Sequence, residues 1–287
     1  MTPRQRLRQL IADPAYAVIP GAFDPLTARL VQLAGFPAVY LTGGGFSRAN
    51  GYPDLGLLTM TEIVQHIARA VDAVDVPVIA DMDTGYGNAL NVVRAVREFE
   101  RAGVSAFHLE DQVAPKKCGH YEGKQLVDAA EMVGKIKAAV DTRRDADMVV
   151  IARSDARAVE GFEATVERLN AYLEAGADVA FFEAPTSRDE MARIPAALAG
   201  PAMVNVFEGG KTPPLPAREL EGMGFAFGIY PSQTHRAAIH AVQEVLATLR
   251  DEGDTARLEH RLATFRDREM AVDTARWLAV DVRYAAP

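Results

Sequence analysis

The sequence predicts an α/β protein in which parallel strands alternate with helices and close into a (β/α)₈ barrel of the TIM type. Three observations support this prediction. Eight short apolar runs recur along the chain, amphipathic segments separate most of them, and 287 residues are enough for eight such units. An open, doubly wound parallel sheet is the alternative that the same alternation allows.

The eight apolar runs are predicted strands because they are short and rich in β-branched or aromatic residues. Each is nearly uniform in polarity, as expected when helices cover both faces of a parallel sheet. The runs are "AVIPG" (17–21), "AVYLTGG" (38–44), "VPVIADMD" (76–83), "AFHLED" (106–111), "MVVIARSDA" (148–156), "DVAFFEAP" (178–185), "AMVNVFEGG" (202–210) and "FAFGIYPS" (225–232).

The segments between these runs are predicted helices because their apolar residues recur at spacings of three and four. Several of them close on a glycine, the residue best suited to end a helix. Clear examples are "LTARLVQLAG", "MTEIVQHIARAVDAV", "NVVRAVREFERAG", "AAEMVGKIKAAV" and "FEATVERLNAYLEAG".

A helical tail follows the eighth strand and its helix "THRAAIHAVQEVLATLR". It runs from Thr255 to about Tyr284 and contains the only tryptophan of the chain. A barrel does not need this tail, so we expect helices to be exchanged between subunits. We therefore predict one barrel domain over residues 1–287, in which 252–287 form a C-terminal helical tail used in oligomerisation.

Composition narrows the function classes. One cysteine cannot form an internal disulfide, and the N-terminus "MTPRQRLRQLIADP" lacks the apolar core of a secretory signal, so we expect a cytoplasmic protein. No apolar run approaches the roughly 20 residues that cross a bilayer. The formal net charge of −8 disfavours binding to nucleic acid or to anionic membranes.

Polar side chains follow nearly every predicted strand. In a (β/α)₈ barrel the carboxyl ends of the strands carry the chemistry, so their convergence indicates a site. These residues are Thr42, Gly43, Gly44, Asp81, Asp83, Glu110, Asp111, Arg153, Asp155, Glu183, Asn205 and Glu208.

Three of these carboxylates are predicted metal ligands. Asp81 and Asp83 end the third strand and Glu110 ends the fourth, and neighbouring strands lie about 5 Å apart. So few protein oxygens suit Mg²⁺, or Mn²⁺ as an alternative, because these ions keep waters that a substrate can replace. The competing interpretation is a structural charge network in which the acids pair with Arg153 and nearby lysines.

Two glycine-rich stretches follow strands. "GYG" at 85–87 is a poor dinucleotide motif because Leu90 stands where the third glycine belongs and two aspartates precede it. "LTGGG" at 41–45 offers a hydroxyl and unobstructed backbone N–H groups to an anion. A turn that merely needs positive φ explains it as well.

The single cysteine, Cys118, lies in the long segment "DQVAPKKCGHYEG" (111–123). Lone cysteines are usually buried and inert. Here Lys116, Lys117 and His120 surround the thiol, and cationic neighbours favour the reactive thiolate. The length of the segment and its glycines suit a lid that closes over a bound anion, which favours a reactive role.

These motifs resemble the isocitrate lyase and phosphoenolpyruvate mutase superfamily. "KKCGH" at 116–120 is similar to the signature of its C–C lyase branch and "DMDTGYGN" to its metal motif. "LEDQ", "ARSDA" and "FFEAP" match its later strand ends in order. The resemblance covers the chain from about Ile19 into the C-terminal helices. Ser154 replaces the commoner threonine of "ARTDA" and keeps the hydroxyl.

The resemblance implies a (β/α)₈ barrel that assembles as a homotetramer, a dimer of helix-swapped dimers, and binds Mg²⁺ with a small dicarboxylate. It implies that Asp81, Asp83 and Glu110 hold the metal. It gives catalytic roles to Cys118, Asp54, Lys116 and His120. The residues it implies for substrate binding are Tyr40, Thr42, Gly43, Gly44, Lys117, Gly119, Arg153, Glu183, Asn205, Pro231 and Arg236.

The implied reaction is Mg²⁺-dependent cleavage of the C2–C3 bond of a 2-hydroxy dicarboxylate, giving a 2-oxo acid and a carboxylic acid. Within the family Cys118 would protonate the carbanion. "NVFEGGKTP" favours a substituted malate such as 2,3-dimethylmalate over 2-methylisocitrate, and Pro231 argues mildly against hydrolysis of oxaloacetate. Both remain alternatives on the same scaffold, together with decarboxylation of oxaloacetate. A catalytically silent ligand-binding homologue is a more remote one, because no matched site residue has been lost.

Overall fold

Eight parallel strands close into a barrel in which each strand pairs with its neighbours in sequence and β8 pairs with β1, as predicted. The structure is a computed structural model that describes residues 1–119 and 121–285. The strands are β1 (Ala17–Ala22), β2 (Val39–Leu41), β3 (Val78–Asp81), β4 (Ala106–Glu110), β5 (Val149–Ser154), β6 (Val179–Phe182), β7 (Ala202–Asn205) and β8 (Phe227–Tyr230).

Helices follow the strands and cover the outside of the barrel. The described residues form α1 (Pro3–Ala12), α2 (Pro25–Leu33), α3 (Gly43–Ala49), α4 (Met60–Asp72), α5 (Ala89–Arg101), α6 (Ala129–Thr142), α7 (Phe162–Glu174), α8 (Arg188–Ala197), α9 (Ala217–Met223), α10 (Gln233–Glu252), α11 (Phe265–Ala271) and α12 (Thr274–Tyr284). Several begin at side-chain caps, such as Thr59, whose hydroxyl accepts from the backbone N–H of Glu62 at the start of α4. None of the described helices is long and apolar enough to cross a bilayer.

The buried apolar side chains form two layers, because successive side chains of a strand point to opposite faces. One cluster lies inside the barrel and includes Ile79, Ala106 and Ile151. The other lies between strands and helices and includes Ala80 and Phe107. This alternation decides which residues at each strand end point into the barrel mouth.

Helix α1 lies at the amino-terminal end of the barrel, away from the strand ends that carry chemistry. Leu7 is fully buried in the interior cluster. Nε of Arg4 donates to the Val104 carbonyl at 2.9 Å, just before β4, and Nε of Arg8 donates to the Asp147 carbonyl at 3.1 Å, just before β5. The same Arg8 reaches Oδ1 of Asp178 before β6 at 3.1 Å. The helix thus closes one end of the barrel and satisfies carbonyls there.

The "LTGGG" stretch differs from its predicted loop character, because its glycines begin the short helix α3. Thr42 is the N-cap, and its Oγ1 accepts a hydrogen bond from the backbone N–H of Gly45 at 3.1 Å. A capping threonine ahead of three glycines explains why a helix starts where their weak helix propensity argues against one.

The chain divides into two compact units, Met1–Gln233 and Thr234–Pro287. The first contains all eight strands. The second contains most of α10 together with α11 and α12, and exposes Phe265, Trp277, Leu278 and Val282 with 60 % or more of each accessible. The helical character predicted for the tail is confirmed, whereas its exchange between subunits stays a prediction.

Candidate active site

Charged and amide side chains replace apolar ones at the carboxyl ends of the strands, on the face that points into the barrel. In each strand the polar residue lies two positions after a buried interior residue, as strand alternation requires. The pairs are Ile79 and Asp81, His108 and Glu110, Ile151 and Arg153, Phe181 and Glu183, and Met203 and Asn205. Five neighbouring strands thus direct polar groups to one mouth.

Three of these side chains offer ligand atoms to one cation. Asp81, His108 and Glu110 each supply an atom that lies within 4.8 Å of the other two. Oε2 of Glu110 is buried and accepts no hydrogen bond from the described residues, although Nε of Arg153 lies 3.2 Å away. A Cβ built on Gly43 would lie 2.6 Å from Oδ2 of Asp81, so only glycine leaves that oxygen open. The two carboxylates, Asp81 and Glu110, fit a hard divalent cation.

Asp83 belongs to an adjoining ion cluster rather than to that group of three. The Lys116 ammonium lies 2.6 Å from Oδ1 of Asp54 and 3.0 Å from Oδ1 of Asp83. Burial disfavours the charge on Lys116, but Asp83 and Asp54 outweigh it and raise the lysine pKa well above its usual value. Burial also disfavours the charge on Asp54 and by itself would raise the pKa of that carboxyl. The ammonium of Lys116 outweighs burial and holds the pKa of Asp54 below its usual value. Lys116 is therefore a paired ammonium.

The loop after β3 is conformationally strained at Asp83. Its φ is 47°, in the left-handed region that residues other than glycine rarely adopt, and Tyr86 has a φ of 62°. Two backbone bonds help to hold Asp83 there. Its N–H donates to Oδ1 of Asp81 at 3.0 Å, and its carbonyl accepts from the Glu110 N–H at 3.0 Å. The two hydrogen bonds connect Asp83 to the acids that end β3 and β4.

His108 is a site residue that the sequence analysis did not select. Its Nε2 lies 2.9 Å from the Tyr40 hydroxyl and 3.5 Å from Oδ1 of Asp81. Complete burial, followed by the charge of Arg153, lowers the pKa of His108 to about 3, so the ring is neutral at pH 7. The available signal was its position two residues before Glu110, which puts both side chains on the same face of β4.

Arg153 joins the acids of three strand ends. Its Nε lies 2.8 Å from Oδ2 of Asp155 and 3.2 Å from Oε2 of Glu110, and its Nη2 lies 4.0 Å from Oε1 of Glu183. Its guanidinium also stacks over Phe181, 5.1 Å from the ring centroid. The charge network proposed as an alternative to a metal site therefore exists, and it adjoins the candidate metal ligands without replacing them.

The described residues of the segment that carries Cys118 lie against the barrel mouth. Its base is closed by the bridge between Gln112 and Leu126. Cys118 is half-buried. A Cβ built on Gly119 would lie 2.2 Å from Oε1 of Glu183 and 2.7 Å from Nη2 of Arg153. The peptide after Cys118 therefore lies directly on the charged residues of the mouth, and only glycine fits there.

Further predicted binding residues lie around this mouth. The two glycines after Thr42 face acids, because a Cβ on Gly44 would lie 2.8 Å from Oδ2 of Asp54. Nδ2 of Asn205 lies 3.5 Å from Oε2 of Glu183, and Oδ1 of Asn205 is buried without a partner among the described residues. Nζ of Lys117 donates to the Gly123 carbonyl at 2.9 Å, within the segment itself.

The roles of three further residues stay predictions. Pro231 packs its backbone against β1, since a Cβ on Gly21 would lie 2.5 Å from the Pro231 carbonyl oxygen. Arg236 lies on α10, in the second compact unit. His120 lies outside the described residues.

Comparison with known proteins gives consistent matches over nearly the whole chain. The family model described as phosphoenolpyruvate phosphomutase matches residues 7–250. The 2,3-dimethylmalate lyase of Eubacterium barkeri is 47 % identical over 266 residues, 92 % of each chain. The 2-methylisocitrate lyase of Aeropyrum pernix is 44 % identical over 258 residues, which cover 90 % of this chain and 83 % of the relative.

Solved structures show the same similarity. A crystal structure of 2,3-dimethylmalate lyase superposes with a TM-score of 0.94 and 37 % sequence identity. The match covers 100 % of this chain and 96 % of the lyase chain. A phosphonopyruvate hydrolase in complex with oxalate and Mg²⁺ has a TM-score of 0.90 and 33 % identity, with 99 % of each chain covered.

The ion pairs of Asp155 predict a pH dependence of stability. Burial alone would raise the pKa of Asp155, but Arg153 and Lys124 lower it to about 2. The unfolded value is about 3.9, so the stabilisation is complete above about pH 5 and is lost as the pH falls towards 2. Its size is on the order of 2 kcal/mol. The free energy of unfolding should fall more steeply between pH 5 and pH 3 in the parent protein than in Asp155→Asn.

Urea unfolding at a series of pH values measures this difference. Parallel pH profiles of the two proteins would contradict the assigned ion pairs.

Proposed function

Because this chain belongs to the phosphoenolpyruvate mutase and isocitrate lyase superfamily, we propose that it is a magnesium-dependent carbon–carbon lyase. Its substrate is a small 2-hydroxy dicarboxylate of the substituted malate type, such as 2,3-dimethylmalate. Cleavage of the C2–C3 bond gives a 2-oxo acid, such as pyruvate, and a carboxylic acid.

One observation carries this proposal. The chain has one cysteine, and the residue that follows it, Gly119, lies on Arg153 and Glu183 at the mouth in which Asp81 and Glu110 converge. Candidate cation ligands and a fixed positive charge therefore converge at the mouth, next to the backbone of the segment that carries the thiol. These are the groups that cleavage next to a carboxylate requires, because charge must be stabilised and a carbanion protonated.

A cation held by Asp81 and Glu110, with Asp83 close by, would bind the 2-hydroxyl and its carboxylate and lower the cost of removing the hydroxyl proton. The protein residues orient the substrate around that position. The backbone N–H groups of Gly43 and Gly44 begin α3, where amides have no acceptor inside the helix, and they are available to the C1 carboxylate. The Arg153 guanidinium supplies permanent positive charge beside it.

Cys118 acts as the acid in the second half of the reaction. Breaking the C2–C3 bond leaves the electron pair on C3, conjugated with the departing carboxylate, while C2 becomes the carbonyl of the 2-oxo acid. The thiol donates its proton to C3. A thiol with a pKa near 8.5 is protonated at neutral pH and still ionises readily. Asp54, paired with Lys116, is available to handle the hydroxyl proton.

Two other reactions on this scaffold are alternatives, namely cleavage of 2-methylisocitrate and hydrolysis of oxaloacetate. The Aeropyrum pernix relative carries the first name. The second is represented by a structure of oxaloacetate acetylhydrolase with a TM-score of 0.93 and 36 % identity. Substituted malate is preferred because the most similar relative described above is a 2,3-dimethylmalate lyase.

A product-release assay tests the substrate and the acid together. We expect release of a 2-oxo acid, or of oxalate where oxaloacetate is hydrolysed, to be measured over a panel of malate, 2,3-dimethylmalate, 2-methylisocitrate, isocitrate and oxaloacetate, with pyruvate release from 2,3-dimethylmalate the fastest. EDTA should abolish the activity.

Cys118→Ser should lower kcat by roughly 10²- to 10⁴-fold, the range expected for loss of a general acid. Activity that ignores EDTA, or a Cys118→Ser variant with parent turnover, would each refute its part of the proposal.

The metal site is tested separately from turnover by binding of Mn²⁺, followed by its electron paramagnetic resonance signal. Asp81→Asn and Glu110→Gln should each weaken Mn²⁺ binding by at least about tenfold, because a hard cation binds carboxylate oxygen far better than amide oxygen. Glu163→Gln is the matched control, since the Glu163 side chain is 74 % exposed in an ion pair on α7. Equal Mn²⁺ affinity in all three variants would exclude this site.

We further propose that the protein is a cytoplasmic homotetramer assembled from helix-swapped dimers. The exposed apolar side chains of α11 and α12 support an assembly through these helices, because several large apolar side chains exposed on two short helices are typical of an interface. Trp277→Glu combined with Leu278→Glu should reduce the mass in light scattering to that of smaller species. Leu90→Glu, at a 79 % exposed position on α5, should leave the mass unchanged. A tetramer that survives the double substitution would exclude α12 from the interface.

A further inference from the structure

Lys124 is a buried lysine beside the catalytic segment, and the proposed reaction gives it no role. Its side chain is only 1 % exposed. The ammonium donates to the Gly119 carbonyl at 2.6 Å and to Oδ1 of Asp155 at 2.8 Å. An ammonium is costly to bury unless it is paired and hydrogen-bonded. The two hydrogen bonds offset the cost of burying the ammonium. Moving the Gly119 carbonyl away would therefore leave a buried charge with one acceptor fewer.

The acceptor on the barrel side of Lys124 is itself fixed. The backbone N–H of Asp155 donates to Oδ1 of Asp111 at 2.9 Å, and Oδ2 of Asp155 receives Nε of Arg153 at 2.8 Å. Asp111 is fully buried and also accepts from the Tyr172 hydroxyl at 3.0 Å. Lys124 therefore connects the loop, through the Gly119 carbonyl, to Asp155, whose side chain and backbone are themselves held by Arg153 and Asp111.

The residue before Cys118 is held in a comparable way. The Gln112 side chain accepts from the Lys117 N–H at 3.0 Å and donates to the Lys117 carbonyl at 2.8 Å. Gln112 thus fixes the peptide groups before the thiol, and Lys124 fixes the carbonyl after it. With both neighbours held, the position of Cys118 has little freedom left.

We propose that Lys124 is a positioning residue for the reaction. By holding the Gly119 carbonyl against Asp155, it keeps the segment closed and places the Cys118 thiol over the mouth of the barrel. The catalytic consequence rests on the proposed function, whereas the closure itself does not. Charge-assisted hydrogen bonds of this length are about twice as strong as neutral ones, so losing both should open the segment for a measurable fraction of the time.

Alkylation of Cys118 by iodoacetamide measures closure without any substrate, because the chain has no other cysteine. Lys124→Met should be alkylated at least about tenfold faster than the parent protein. Lys124→Arg, which keeps the charge, should restore much of the protection. Glu122→Gln is the control in the same segment, since Glu122 is 87 % exposed and pairs with Lys211. It should react at the parent rate.

General destabilisation is excluded by Leu7→Ala, which removes buried volume at the opposite end of the barrel. This variant should lower the melting temperature and leave the alkylation rate unchanged. Should Lys124→Met fail to fold, Lys124→Gln takes its place, because its amide can still donate one hydrogen bond. Parent-like alkylation of the folded Lys124 variant, or equally fast alkylation of Leu7→Ala, would overturn the proposal.

Steady-state kinetics complete the test. Lys124→Met should lower kcat at least about tenfold with a much smaller change in KM, because substrate still binds but the acid is misplaced. If no member of the substrate panel is turned over, the proposed function fails, and the alkylation result still decides whether Lys124 closes the segment. Fast alkylation with parent kcat would overturn the positioning role.

Discussion

The site depends on a balance of buried charge at the barrel mouth. Asp54, Asp81, Glu110, Asp155 and Glu183 are all buried there, and three cations, Lys116, Lys124 and Arg153, lie among them. Each ion pair recovers part of a large desolvation cost, and removing one partner would leave an uncompensated charge. The buried carboxyl groups outnumber these cations, so a divalent cation beside Asp81 and Glu110 would supply positive charge that the three side chains do not. Stability of the mouth and the proposed binding of a metal would therefore have one electrostatic origin.

Backbone atoms of three glycines lie directly against the buried carboxylates of the mouth. Gly43, Gly44 and Gly119 each lie so close to a carboxylate that a methyl group could not be added without displacement. Glycine is required at these positions because of distance rather than because of φ, since their backbone conformations are open to any residue. Close backbone approach lets peptide dipoles solvate the acids in place of water, and such preorganised dipoles stabilise charge that develops during a reaction.

Much of the fold and part of the site could be predicted from the sequence. The eight strands and the acids at their ends follow from uniform apolar runs that close on polar residues, a pattern that short-range periodicity records well. His108 was missed because a histidine inside an apolar run gives no signal of its own unless the alternation is counted back from Glu110. Lys124 could not be found, because its role depends on contacts across 31 residues with Asp155. Helix α3 was missed since three glycines argue against a helix and only the cap of Thr42 overrides them.

The contacts of α1 determine when this helix can dock during synthesis of the chain, because its partners lie far along the sequence. The chain emerges from the ribosome N-terminus first, at about 5–20 residues per second. Arg8 is made 170 residues before its partner Asp178, so it waits roughly 10–30 s for that contact to exist. During this interval Leu7 and the arginines of α1 have no barrel end to occupy. Helix α1 therefore cannot complete its contacts until Asp178 has been made, and the nascent chain must remain soluble with the helix exposed until then.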